Sequence, residues 1–182
     1  MNAPEEAARL LTGVGSRLAH SEAVARQAAG ANQLAGSAWC SAVLDAAWLH
    51  DIGYAPELVL SGFHPLDGAR WLRDRGWPAE VCSLVAWHTH AGTEARLRGL
   101  DAELASEFVM PPRKARAVLT WPDLTSSPMG KACTPLERLD EILARYPSGT
   151  VVHEATLAES EALLADAAWV ASRLATLSAG QR

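Results

Sequence analysis

Leu44–Tyr54, LDAAWLHDIGY, is an apolar helical run that breaks off abruptly in two polar residues. Val43, Leu44, Ala47 and Trp48 make a broad apolar face on a helix expected from about Ala38 to His50. Gly53 and Pro56 end it, because glycine tolerates positive φ and proline cannot continue the hydrogen-bond ladder. A buried carboxylate without a partner costs several kcal/mol, so Asp51 needs a cation, a donor network or water.

The same texture extends along the 182 residues. Phe and Tyr number only two each, β-branched runs are short, and Ala and Leu dominate, which predicts an all-α fold. Further helices are expected over about Ser16 to Gly30, Pro65 to Arg75, Pro78 to His90, Arg113 to Asp123, Pro135 to Tyr146 and Val151 to Leu177. Pro122 predicts a kink or a fresh turn just before Asp123. No repeat or linker divides the chain, and its length predicts a single domain, 1–182.

Composition excludes several classes. Sixteen Lys and Arg against 21 Asp and Glu give a net charge of −5, so no stable nucleic-acid partner and no anionic membrane surface is expected. The longest uncharged stretch, Gln27 to Leu44, is too polar to span a bilayer. The start, MNAPEEAARLL, lacks the basic and apolar segments of a secretory signal. Cys40, Cys82 and Cys133 are odd in number, scattered and in no CxxC pair, which suits reduced thiols in a cytoplasmic protein.

Histidine is the commonest metal ligand, and five of the six fall in the first half of the chain. Taken singly, each reads as a core residue satisfied by one hydrogen bond, and His153 beside Glu154 keeps that reading. Asp123, in VLTWPDLTSS, could cap a following segment. A bound metal would satisfy both carboxylates and several imidazoles together.

His20 in RLAHSEAVARQA, His50-Asp51 in HDIG and the distal Asp123 together resemble the signature of the HD superfamily of metal-dependent enzymes. The resemblance covers roughly Leu18 to Ser127 and implies an HD-type helical bundle, with helices over 134–177 completing it. His64 in GFHPLDGARWL and His88 in LVAWHTHAG stand where binuclear members place additional ligands. HPLDGA resembles a segment of the HD-GYP phosphodiesterases, and WHTHAG is similar to one in bacterial HD diadenosine tetraphosphate hydrolases. The resemblance therefore implies one metal on His20, His50, Asp51 and Asp123, and a second on His64 and His88 with Asp51 as bridge. Such nitrogen and oxygen donors suit one or two divalent ions of iron, manganese, zinc or cobalt. Ser16 stands where many HD-GYP proteins carry a ligand glutamate, no GYP motif follows His88, and Tyr54 replaces the lysine common after HDIG.

What this implies is a cytoplasmic phosphohydrolase acting on a nucleotide or another small phosphoester, with Asp51 and His90 as catalytic candidates. His90 reads as a substrate contact, a proton shuttle or an exposed loop residue. Tyr54 and the cluster Arg113, Lys114 and Arg116 are the candidate substrate contacts, since guanidinium forks match phosphate oxygens. The same ligand order is similar to that of HD-type mixed-valent di-iron oxygenases, an alternative activity. A non-catalytic HD binding module is a third reading, and a homodimer is an open option.

Overall fold

The side chain of Asn2 accepts a hydrogen bond from the Glu5 amide and Pro4 occupies the first turn, so the chain enters a helix at once. That helix, α1 (Ala3–Leu11), opens the computed structural model, which describes residues 2–180. There follow α2 (Arg17–Ala31), α3 (Cys40–Leu49), α4 (His64–Asp74), α5 (Ala79–Trp87), α6 (Ala91–Arg98) and α7 (Asp101–Glu107), then α8 (Arg113–Leu124), α9 (Pro135–Arg145) and α10 (Val151–Ala179). Short 3-10 turns at 32–35, 52–54, 56–58 and 88–90 join them. Among the described residues no β-strand forms, only an isolated antiparallel bridge between Ser126 and Ala132. The fold is all-α.

α5 is buried from Val81 through Trp87, as expected of a central helix that is apolar on every side. It packs against α3 and α4, while α2 lies against α3 and α8. Alanines 25 and 28 of α2 and 42, 46 and 47 of α3 are buried, and such small side chains let packed helix axes approach closely. A smaller apolar cluster, Leu124, Leu139, Leu163 and Ala167, ties α8, α9 and α10 together. Burying each leucine there contributes about 2 kcal/mol.

Three helices were not foreseen: α1, α6 and α7. The helix expected to reach His90 stops at Trp87, because Thr89 and His90 adopt left-handed φ of 46° and 58°. α8, by contrast, runs through Pro122 to Leu124, and no new helix starts there. Pro122 lies so near the C-terminus that only the hydrogen bond to the Val118 carbonyl is forfeited, and the Thr125 amide closes the last turn on Trp121. Among the described residues no helix is long and apolar enough to cross a membrane.

One surface contact is pH-sensitive. Glu107, at the end of α7, accepts hydrogen bonds from Arg70 and Arg73 of α4. The Arg70 bond, helped by Arg73 and opposed by burial, pulls its carboxyl down to about 2. A depressed carboxylate stabilises the fold fully above its ordinary value and loses that contribution as pH falls through the folded one. Glu107→Gln should therefore destabilise the protein by about 1 kcal/mol at pH 7, and the difference should vanish near pH 2. Urea titrations of both proteins at the two pH values measure it.

Candidate metal centre

Helix ends deliver every predicted ligand to one place. His20 sits in the first turn of α2, His50 and Asp51 follow α3, and His64 opens α4. His88 follows α5, and Asp123 is the penultimate residue of α8. Two groups result: His20, His50 and Asp123, then Asp51, His64 and His88, with ligand atoms in each group within 4.8 Å of one another. They are contiguous, since the His50 ring lies 5.3 Å from both the His20 and the His88 ring, centroid to centroid. Asp51 Oδ1 is 3.7 Å from His50 Nε2 and 3.6 Å from His64 Nε2, between the two groups.

The orientation of the rings follows from the backbone. A helix leaves its last carbonyls without intrahelical partners, and a histidine just past the end can use one. His50 Nδ1 donates to the Ala47 carbonyl at 3.0 Å and His88 Nδ1 to that of Val85 at 2.7 Å, the same device at the ends of α3 and α5. His20 Nδ1 donates to the Ser127 carbonyl at 3.2 Å. With Nδ1 protonated, the His50 and His88 rings turn an Nε2 lone pair inward, and the His20 ring presents its Nε2 to the same space. His20 Nε2 faces Asp123 Oδ1 at 2.9 Å, and His88 Nε2 faces His64 Nε2 at 3.2 Å. His50 Nε2 is fully buried and has no hydrogen-bond partner.

The chain around the HDIG turn is fitted to this arrangement. A Cβ added to Gly53 would lie 2.0 Å from the His64 carbonyl oxygen, so only glycine lets the turn reach the start of α4. Gly68, one turn further along α4, backs onto Gly53 in the same way, its added Cβ falling 3.1 Å from the Gly53 nitrogen. Tyr54 lies sandwiched, with His64 stacked 4.0 Å from its ring centroid and the Arg17 guanidinium 3.7 Å from it. Two groups that close cannot share one ring face. Thr89 donates its hydroxyl to Asp123 Oδ2, so the left-handed turn after α5 places His88 and orients Asp123 together.

Burial and neighbouring charges set the protonation states of the centre. Burial drives His50 down to about 4, overcoming the attraction of Asp51, so its ring is neutral at pH 7. Burial and the neighbouring His88 hold His64 well below its ordinary value. Burial also disfavours the Asp51 carboxylate, yet Arg17, whose Nη1 donates to Oδ2 at 2.8 Å, outweighs it and keeps the group ionised. For His20 burial is likewise opposed, by the hydrogen bond to Asp123, and the net result is a raised pKa. The same hydrogen bond overrides burial at Asp123 and holds its carboxyl far below the usual range. A neutral His50 whose Nε2 has no partner, beside two ionised carboxylates, fits a cation.

A cavity of about 110 Å³ opens beside this centre, lined by Asp51, Tyr54, His64, His88 and Asp123 and by residues of α9 and α10. His90 also lines it, with Nδ1 on Glu159 at 2.9 Å and Nε2 on Asp166 at 3.1 Å. Both its nitrogens are thus taken by α10. His153 makes the single hydrogen bond expected of it, to the Tyr146 carbonyl.

The basic cluster is not part of this cavity. Arg113 pairs with Asp166, Lys114 is exposed, and Arg116 bonds to the Pro111 carbonyl at 3.2 Å and lines a neighbouring depression that meets the cavity only at His90 and Glu159. Ten residues of helix put Arg113 about 15 Å along the axis from Asp123, which removes the expected proximity. Three further residues belong to the site without a motif that announces them: Arg17, Thr89 and Arg138. Arg17 precedes His20 by one helical turn, a spacing that could have shown it. No family model, no curated protein and no solved structure matches the chain.

Proposed function

We propose that the chain is an HD-type, metal-dependent phosphohydrolase acting on a small phosphoester. One observation carries the reading: three imidazoles are locked by backbone carbonyls so that their Nε2 atoms converge between two carboxylates, and that of His50 has no partner. His20, His50 and Asp123 would hold one ion and Asp51, His64 and His88 a second, with Asp51 Oδ1 disposed toward both. Bound there, divalent cations would supply Lewis acidity toward a phosphoryl group and acidify a water molecule.

The remaining roles belong to the chain. Thr89 and His20 fix Asp123 from two sides, and Arg17 fixes Asp51 while leaving Oδ1 to the centre. Tyr54 stacks on His64 and sets its ring plane. His90, with Glu159 and Asp166, ties the left-handed turn to α10 and so holds the far wall of the cavity. At about 110 Å³ the cavity falls below the roughly 300–1,000 Å³ of sites for drug-sized ligands, which favours a compact phosphoester over a dinucleotide.

The donor set holds nitrogen and oxygen and no thiolate, so it suits iron as well, and an HD-type oxygenase is the second reading. Metal content of the untreated protein, then assays after reconstitution with each of iron, manganese, zinc and cobalt, separate the two. Phosphate release from a panel of phosphomonoesters and nucleotides is expected, and a His50→Ala, Asp51→Ala double variant should lack it. Equal release by the double variant ends the hydrolase reading. Oxygen uptake with a half-integer-spin resonance would replace it.

A further inference from the structure

We propose that Arg138 of α9 forms an oxyanion subsite in the cavity beside the metal centre, gripping a phosphate or phosphonate group side-on. Arg138 is only 6% exposed, yet its side chain makes one hydrogen bond among the described residues, from Nη1 to Glu141. Its Nε is buried without any partner. Nε and Nη2 form the edge of the guanidinium that holds two oxygens of a carboxylate or phosphate at once, and that edge is the vacant one. A buried donor left unsatisfied beside a full charge is costly, so its persistence points to a ligand that the protein does not itself provide.

The surroundings favour an anion. The Thr134–Glu137 capping box fixes the start of α9 and places Arg138 one turn in, where it lines the cavity together with Asp123 and His88. Glu141 is shared between Arg138 and Arg145, so this face of α9 carries two guanidinium groups against one carboxylate. The acidic side chains of the cavity are already engaged: Glu94 by Arg98, Glu159 by His90 and Thr93, Asp51 by Arg17, and Asp123 by His20 and Thr89. Asp123 lies near enough to feel the charge of Arg138, yet no carboxylate hydrogen-bonds the vacant edge. A tetrahedral oxyanion matches it in charge and in geometry.

The subsite rests on the phosphohydrolase reading for its place in the reaction, but binding tests it separately. Inorganic phosphate and methylphosphonate are titrated calorimetrically into metal-loaded and metal-free protein, for the wild type, Arg138→Met, Arg138→Lys and the exposed control Arg26→Met. Phosphate should bind the wild type and Arg26→Met alike. It should bind Arg138→Met about tenfold more weakly or worse, the worth of one charge-assisted hydrogen bond. Lysine keeps the charge and loses the fork, so Arg138→Lys should fall between them, and it decides the matter if the Met variant does not fold. Affinities within about twofold of wild type in the folded variants, or no phosphate binding by the wild type, overturn the subsite. Arg138-dependent phosphate binding without phosphoester turnover leaves the subsite standing and removes the hydrolase reading. Turnover with an unchanged KM in Arg138→Met does the reverse.

Discussion

Replacing His50 with leucine is expected to leave the metal-free protein folded while lowering its affinity for a divalent cation by about 100-fold or more, some 2.7 kcal/mol. The two effects separate because of what the ring does without a metal. Its Nε2 is buried and unpartnered, a state that itself costs about 1–3 kcal/mol. An apolar side chain of similar size removes that cost, and loses in exchange the single bond to the Ala47 carbonyl. Thermal melting without metal should therefore shift little. With metal in excess, the wild type should gain clearly more in melting temperature than the variant, since a ligand that binds only the folded state stabilises it by mass action. Unchanged metal stoichiometry and affinity in His50→Leu would show that the centre lies elsewhere.

Gly53→Ala should produce the largest loss of stability among single methyl additions to this chain. The new methyl would meet three backbone atoms of His64, at 2.0, 2.7 and 2.8 Å, and backbone cannot swing aside as a flexible side chain does. Relief requires the start of α4 to move. Overpacking of this kind costs about 3 kcal/mol, which for a chain of this size lowers the melting temperature by roughly 6–12 °C. The displacement should fall on His64 and so on the Asp51–His64–His88 half of the centre, while the half built by α2, α3 and α8 is touched less. Metal analysis should show fewer ions bound per chain, with the His64 half lost before the other. A variant that melts with the wild type and binds the same number of ions would refute the packing account.

The main helices and the convergence of the ligands were legible because they depend on local rules. Apolar spacing marks α2 and α3, and proline marks where α4 and α5 begin. Polar residues at the tips of apolar helices then had to meet somewhere. What escaped depends on distant partners. α6 begins at two non-glycine residues with positive φ, Thr89 and His90, which nothing in their own side chains announces. Their conformation is held from outside, by Asp123 on α8 and by Glu159 and Asp166 on α10. Arg138 looks like any helical arginine until the packing of α9 on α8 and α10 buries it. The Arg113 cluster misled for the opposite reason, since closeness in sequence to Asp123 became a helix length of separation.

Arg17 and Asp51 bear on the order in which the finished protein is assembled. One carboxylate oxygen of Asp51 already rests on a guanidinium, and Tyr54 supports that guanidinium from beside. The acid is thus neutralised within the fold itself, and an ion bound as proposed would meet the other oxygen already in place. Metal binding of the kind proposed would then be a loading step on an already folded body, and a chelator should strip the ion without unfolding the rest.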